Sequence, residues 1–234
     1  CMDPEITQEP FEFSYTPSDN PYALRIAGQA PFAYADFDTE TRPGQWKPAN
    51  KEALHVEIGC NGGHVLLEWA DRNPKDHFIG LDWKFKQVSW AAEKAVRRSI
   101  SNVAFLRAHA GRMDRVFAPS EIDHLYLFFP DPWPKVRHQK HRLYQTEWLR
   151  LVSALVRPGG SFEIRTDHPG YFEQMLQVTD TCADLWEVLE VSHDRHAGNT
   201  AVAKLGFPEV TLFERVFIKK GLPVHLLRLK RRAQ

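Results

Sequence analysis

The most constraining feature of this sequence is a regular alternation of short apolar runs with amphipathic segments between residues 53 and 192. Each apolar run has the length of a strand, and each segment between them carries apolar residues at helical spacing. The predicted strands cover 53–59, 77–83, 103–107, 123–129, 161–166 and 186–192, and the predicted helices cover 63–73, 86–99, 146–156 and 171–182. Strands and helices that alternate in this way are typical of an α/β fold with a doubly wound, parallel sheet.

The first 50 residues have a different character, because they contain seven prolines. Proline lacks a backbone N–H, so this density is incompatible with long helices or with central strands. We therefore divide the chain into a proline-rich arm, residues 1–50, and a single domain, residues 51–234.

Charge and cysteine content exclude several classes of protein. Thirty Lys and Arg balance thirty Asp and Glu, so any site for a polyanion must be a local patch. No apolar run has the roughly 18 residues that a membrane span requires. The three cysteines are far apart and the histidines have no paired ligand spacing, which favours a reducing cytoplasm and argues against a metal site.

A glycine-containing turn follows the first predicted strand and indicates a nucleotide ligand. Glu57 ends the strand, and the turn that follows contains Gly59, Asn61 and Gly63. Asp82 ends the next strand, where an acid usually binds ribose hydroxyls. These residues leave the ligand undecided between a dinucleotide and S-adenosylmethionine.

The segment after the strand at 123–129 resolves that ambiguity. Residues 130–133 read Pro-Asp-Pro-Trp, a stiff loop that can hold a carboxylate and an aromatic face against a planar base. A cationic run follows it and contains Lys135, Arg137, His138, Lys140, His141 and Arg142. Aromatic and cationic groups together at a ligand-binding edge are typical of a nucleic-acid site.

At these motifs the sequence resembles the bacterial tRNA (guanine-N7)-methyltransferase family of class I, S-adenosylmethionine-dependent enzymes. The resemblance covers roughly residues 54–220, and its most specific motif is FFPDPWPKVRHQKHRL at 128–143. Supporting motifs are EIG (57–59), IGLD (79–82), RPGG (157–160), RTDH (165–168) and TLFER (211–215). It implies a Rossmann-like, seven-stranded, mostly parallel sheet whose last strand is antiparallel, with a final hairpin from residues 213–229.

The resemblance implies donor-binding roles for Glu57, Asp82 and Asp131, and guanine-binding roles for four residues: Lys135, Asp167, Thr211 and Glu214. The glycine turn, His109 and the cationic run add the other candidates. Together, the residues expected to bind the methyl donor are Glu57, Gly59, Asn61, Gly63, Asp82, His109 and Asp131. Those expected to bind the tRNA are Lys135, Arg137, His138, Lys140, Arg142, Asp167, Thr211 and Glu214. Three positions depart from the family pattern: His109 replaces an acid near the adenine of the donor, Asn61 replaces a glycine, and Leu212 replaces a lysine.

The implied reaction is methyl transfer from S-adenosylmethionine to N7 of the variable-loop guanine of tRNA. Guanine N7 has an exposed lone pair and no proton, so the attacking atom needs no general base. We assign Asp131 and Asp167 as catalytic candidates, because carboxylates near the purine would stabilise the positive charge that develops on it.

Two other functions remain open at this point, and the oligomeric state is not determined. The chain could be a non-catalytic tRNA-binding protein with the same fold, or a class I methyltransferase that acts on another planar nitrogen. An NAD-dependent dehydrogenase is the weakest alternative, because it leaves the loop at 130–133 and the cationic run without a role.

Overall fold

A computed structural model of the chain describes residues 19–197 and 210–233. The strands are β1 (Ala33–Ala35), β2 (Leu54–Ile58), β3 (His77–Asp82), β4 (Val103–Arg107), β5 (Ile122–Phe128), β6 (Val156–Thr166), β7 (Trp186–Ser192) and β8 (His225–Arg231). The α-helices are α1 (Pro21–Ala27), α2 (Phe37–Glu40), α3 (His64–Arg72), α4 (Phe85–Arg97), α5 (Met113–Val116), α6 (Thr146–Leu155), α7 (Pro169–Asp180) and α8 (Leu212–Lys219). Two 3₁₀ helices span Ala110–Arg112 and Val136–His141.

These strands form one sheet in the order β1-β4-β3-β2-β5-β6-β8-β7. All described pairs are parallel except those of β8, which runs antiparallel to both β6 and β7. The predicted α/β class, the six predicted strands and the antiparallel last strand are therefore confirmed. The four predicted helices are confirmed as well, as α3, α4, α6 and α7.

Two parts of the sheet differ from the prediction. The arm contributes a three-residue strand, β1, which pairs with β4 and raises the number of strands to eight. The expected hairpin over 213–229 is wrong, because its first half forms helix α8 and only its second half forms strand β8. The side chain and backbone of Thr211 exchange hydrogen bonds with those of Glu214, a capping box that starts the helix.

Helices cover both faces of the sheet. One buried cluster joins α5, α6 and α7 to one face, and the other joins α1, α3 and α4 to the opposite face. Strand β5 shows the alternation directly, since Leu125 and Leu127 face the first cluster while Tyr126 and Phe128 face the second. After β2 and β5, which are neighbours, the chain turns to opposite faces, and this switch opens a crevice at their carboxyl ends.

The arm is attached to this framework by polar contacts. The carboxylate of Glu121 accepts hydrogen bonds of 2.8 Å from the backbone N–H groups of Gly44 and Trp46. Glu40 forms an ion pair of 2.6 Å with Arg112. The arm therefore contacts the protein both at the carboxyl edge of the sheet, where Arg112 follows β4, and at the amino end of β5, which Glu121 precedes.

Candidate active site

A cavity of about 570 Å³ opens at the carboxyl ends of β2, β3, β4 and β5. Its volume lies within the range of roughly 300–1,000 Å³ that small-molecule sites occupy. Six of the seven residues expected to bind the donor line it: Glu57, Gly59, Asn61, Asp82, His109 and Asp131. The sheet thus brings together residues that are far apart in sequence.

The glycine turn has the backbone conformation that its residues favour. Gly59, Asn61 and Gly63 have φ angles of 74°, 51° and 69°, all in the left-handed region. Asparagine enters this region more readily than most residues, so Asn61 keeps the turn that a glycine would make there. Gly63 is not among the cavity residues: a Cβ at this position would lie 2.7 Å from the Phe105 ring. Its role in the structure is close packing of α3 against the sheet.

Asp82 connects two loops at the cavity wall. One carboxylate oxygen accepts a hydrogen bond of 2.9 Å from the backbone N–H of Asn61, and the other accepts one of 2.9 Å from the backbone N–H of Lys84. A carboxylate has about four lone-pair sites, so these two bonds leave acceptor capacity for a ligand hydroxyl.

Glu57 is a buried acid in the cavity wall. Its Oε2 atom is inaccessible to solvent and has no hydrogen-bond partner among the described residues. Burial raises the pKa of Glu57 to about 8, with Asp82 adding to the rise and Arg165 opposing it. A cationic ligand group placed beside Oε2 would supply the missing partner and favour the carboxylate form.

His109 lies in the cavity wall, two residues after the end of β4. Its Nδ1 accepts a hydrogen bond of 3.1 Å from the backbone N–H of Gly111. Burial, together with the charges of Arg112 and Arg107, lowers the pKa of His109. The imidazole is therefore neutral at pH 7 and carries its proton on Nε2.

The loop after β5 brings aromatic rings to the cavity. Trp133 has a φ of 40° and lies in the cavity wall with Asp131 and His141. The centroid of the Trp133 ring is 5.9 Å from that of His138 and 5.3 Å from that of His141. Proline on either side of Asp131 stiffens this segment, so the acid and the rings have defined positions.

The cationic run forms the 3₁₀ helix Val136–His141, and it does not present all of its cations to solvent. Lys135, Arg137 and Lys140 are exposed. Arg142 is buried instead: its Nε donates a hydrogen bond of 2.7 Å to the carbonyl oxygen of Pro132, and its guanidinium lies 4.7 Å from the Tyr171 ring centroid. The expected tRNA contact of Arg142 is therefore replaced by an internal role, in which it holds the loop.

The remaining predicted tRNA-binding residues lie in different surroundings. Thr211 lines the cavity at the start of α8. Asp167 follows β6 at the same edge of the sheet, is half-buried, and is not among the cavity residues. Glu214 is fully buried, and its carboxylate contacts the guanidinium groups of Arg165 at 2.9 Å and Arg195 at 2.5 Å. Burial opposes its ionisation, but these two arginines hold the pKa of Glu214 below its usual value.

Several cavity residues escaped the sequence-based prediction. Trp83 directly follows Asp82, and that adjacency was the available signal for it. Phe213 lies at the mouth, and Phe129 stacks on Phe213 and Phe217 with ring centroids 6.0 and 5.7 Å apart. The Thr-x-x-Glu spacing at 211–214 is a capping-box signal, and it could have placed α8 in advance.

Neither a metal-binding cluster nor a membrane-spanning helix is found among the residues that the structure describes. Within residues 19–197 and 210–233, no group of three or more His, Cys, Asp and Glu side chains is arranged to hold a metal ion. In the same ranges, no helix combines the length and the apolar character needed to cross a membrane.

Comparison with known proteins finds relatives that are described as methyltransferases. A family model described as "Putative methyltransferase" matches residues 51–226. The chain is 31% identical over 196 residues to a tRNA (guanine-N(7)-)-methyltransferase of Lachnoclostridium phytofermentans, covering 83% of this chain and 89% of that protein. It is 30% identical over 204 residues to a bifunctional glycosyltransferase/methyltransferase of Fusobacterium nucleatum subsp. nucleatum, covering 86% of this chain and 31% of that longer protein.

Solved structures agree at the level of the fold. The crystal structure of the 16S rRNA methyltransferase KamB matches with a TM-score of 0.57 and 17% identity, covering 79% of this chain and 90% of that one. The sheet order and the position of the cavity are those expected for a class I methyltransferase. Since the family model spans most of the chain and a relative above 30% identity is covered over most of its length, the chain belongs to the tRNA (guanine-N(7)-)-methyltransferase family.

Proposed function

We propose that this chain transfers a methyl group from S-adenosylmethionine to N7 of a guanine in tRNA, the variable-loop guanine by resemblance to the family. The observation that carries the proposal is that two sets of residues line the same cavity. Glu57 and Asp82 lie on its inner wall, while Asp131 and Trp133 lie at the loop that leads to exposed cations. The names of the relatives support the same acceptor.

The cavity residues fit the methyl donor. The donor supplies an electrophilic methyl group on a sulfonium sulfur. The unpartnered, buried Oε2 of Glu57 suits its cationic α-amino group, and the remaining acceptor capacity of Asp82 suits the ribose hydroxyls. The turn at Gly59 has no heavy atom within 4 Å of the place where a Cβ would be, so backbone and ligand can approach closely there.

Chemistry at the acceptor depends on alignment and charge. Guanine N7 attacks through its own lone pair, and no residue has to remove a proton from it. Asp131 lies at the cavity wall on a loop stiffened by proline, so its carboxylate can stabilise the positive charge that the purine gains. Asp167 follows β6 at the same edge and is the second candidate for this role.

The exposed cations beside the cavity form the surface for the RNA backbone. Lys135, Arg137 and Lys140 lie on or next to the 3₁₀ helix, and neutralisation of phosphates by such residues supplies salt-dependent affinity. The rings of Trp133 and His138 supply stacking surface for bases. Arg142 contributes to this surface indirectly, because it fixes the Pro132 carbonyl.

The same proposal includes the organisation and location of the protein. Residues 1–50 act as an arm beside a methyltransferase domain of residues 51–234. We place the protein in the cytoplasm, where two buried cysteines without disulfide bonds, Cys60 and Cys182, fit the reducing conditions.

The test is transfer of labelled methyl from S-adenosylmethionine to bulk tRNA, followed by nuclease digestion and identification of the modified nucleoside. We expect 7-methylguanosine from the wild-type protein and its loss in Asp131→Ala. Glu147→Ala, which removes an exposed acid on α6 away from the cavity, should retain activity. A different methylated nucleoside would overturn the acceptor assignment, and tight tRNA binding without transfer would favour a non-catalytic RNA-binding protein.

A further inference from the structure

Trp83 occupies a distinctive position in the cavity wall. It directly follows Asp82, is 41% exposed, and meets the His109 ring edge-on with centroids 5.4 Å apart. Asp82 is the acid expected to bind the ribose, and the base of a nucleoside lies next to its ribose. A planar indole one residue beyond that acid is therefore placed to contact the base of the donor.

Arg107, the last residue of β4, holds Trp83 from the protein side. Its guanidinium carbon is 3.6 Å from the Trp83 ring centroid and 4.1 Å from that of Phe85. Its Nε donates a hydrogen bond of 3.1 Å to the Trp83 carbonyl oxygen. Arg107 thus contacts both the ring and the backbone of Trp83, and a flat guanidinium can stack in this way where an ammonium cannot.

The arm in turn holds Arg107. The Asp36 carboxylate forms an ion pair with the Arg107 guanidinium, and the Asp36 backbone N–H donates a hydrogen bond of 3.1 Å to the Arg107 carbonyl oxygen. Arg107 is buried, so the loss of its counter-charge would leave a cation poorly compensated. A continuous series of contacts therefore runs from the arm through Arg107 to the cavity.

We propose that Asp36 and Arg107 are positioning residues for the methyl donor: the arm fixes Arg107, Arg107 fixes the Trp83 ring, and that ring supports the adenine. The inference rests on the proposed function and adds a role for the arm in it. It assigns Asp36 of the arm to donor binding, in addition to any contact that the arm makes with RNA.

The experiment measures the affinity of the full chain for S-adenosylhomocysteine by calorimetry, with S-adenosylmethionine and tRNA KM values alongside. Asp36→Asn should weaken affinity about five- to tenfold, the size of a lost cation–π arrangement in a partly desolvated site. The KM for S-adenosylmethionine should rise while the KM for tRNA stays unchanged. Glu40→Gln is the matched control, because it breaks a similar half-buried ion pair of the same arm and should change affinity less than about twofold.

A double-mutant cycle separates positioning from general destabilisation. In a Trp83→Ala background, Asp36→Asn should have almost no further effect on affinity, since the residue through which it acts is gone. If Asp36→Asn does not fold, Arg107→Lys takes its place in the cycle, because it keeps the charge and loses the planar stack. Circular dichroism melts of all variants verify that the folded protein is being compared.

The outcomes are distinct. An unchanged affinity in Asp36→Asn, an equal loss in Glu40→Gln, or an undiminished effect in the Trp83→Ala background would each overturn the inference while the methyltransferase activity stands. A wild-type chain that binds no S-adenosylhomocysteine would overturn the proposed function as well. Loss of affinity in the Asp36, Arg107 and Trp83 variants, with no loss beyond that of Trp83→Ala when Asp36→Asn is added to it, supports the inference.

Discussion

Donor binding should release a proton from Glu57. In the protein without ligand, burial raises the pKa of this acid to about 8, so most of it is protonated at pH 7. The cationic α-amino group of the donor, placed beside the unpartnered Oε2, would return the pKa toward its ordinary value of about 4.3. Binding and deprotonation are then linked, and affinity must rise with pH until Glu57 is ionised.

The size of the effect follows from the fraction of Glu57 that is ionised. About one side chain in a hundred is ionised at pH 6 and about one in four at pH 7.5, for a pKa near 8. An α-amino group with a pKa of roughly 7.7–8.0 loses part of its charge over the same interval. The dissociation constant should therefore fall about ten- to twentyfold between pH 6 and pH 7.5. At pH 7 about 0.8 proton should be released overall, because the α-amino group takes up about 0.1 of the roughly 0.9 that Glu57 loses.

Calorimetry with S-adenosylhomocysteine in buffers of different ionisation enthalpy measures both quantities. Glu57→Gln keeps the shape of the side chain and removes its titration, so its affinity should be nearly independent of pH in this range. His109→Gln should keep most of the wild-type slope, because burial and the neighbouring arginines lower the pKa of His109 and so reduce its titration in this range. A flat wild-type profile, or the same slope in Glu57→Gln, would refute the reasoning.

Three further predictions concern stability and RNA binding. Glu214→Gln should lower the free energy of unfolding by about 3 kcal/mol, because it leaves the buried Arg195 beside an uncharged partner, while Arg165 keeps its ion pair with Glu163; a change below about 1 kcal/mol in urea titrations would contradict this. Arg137→Gln should reduce the dependence of tRNA affinity on salt by about one ion, as measured by filter binding in graded salt. Arg142→Gln should leave that dependence unchanged and should instead lower the free energy of unfolding, as measured by urea titration. Burial lowers the pKa of His55 to about 3, with His124 adding to the effect, and lowers that of His77 to about 4. In a Glu57→Gln background, which removes an opposing titration, the free energy of unfolding should therefore fall by about 3 kcal/mol from pH 6.5 to pH 5, about half of it from His55. An unchanged value over that interval would contradict the His55 prediction.

The sequence predicted the inner wall of the cavity because its residues are tied to strand ends. Glu57 and Asp82 each close an apolar run, and the carboxyl ends of parallel strands meet at one edge of the sheet. Nothing in the spacing distinguishes Arg142 from the other cations of its run. Its burial depends on the Pro132 carbonyl and on Tyr171, a residue of α7 that only the folded chain brings near.

Helix α8 and the arm show the same limit. The apolar residues of 213–220 fit a strand or a helix equally well, and the capping box between Thr211 and Glu214 decides for the helix. Strand β1 has only three residues, too few to show an alternating apolar pattern, so its pairing with β4 could not be predicted from the sequence. Prediction therefore succeeds for long periodic elements and fails where a single side chain finds a distant partner.

The three departures from the family pattern have unequal consequences for the site. Asn61 adopts the left-handed conformation that a glycine would adopt, so the turn is conserved in shape. Leu212 begins α8 and lines the cavity without a charge, so we expect the exposed Lys135 and Arg137 to supply the cations for the RNA backbone instead. His109 changes the chemistry itself, because an acid could only accept a hydrogen bond there. The imidazole of His109 is neutral at pH 7 and its Nδ1 accepts a hydrogen bond from the backbone, so this part of the cavity wall lacks the negative charge that a carboxylate would place there.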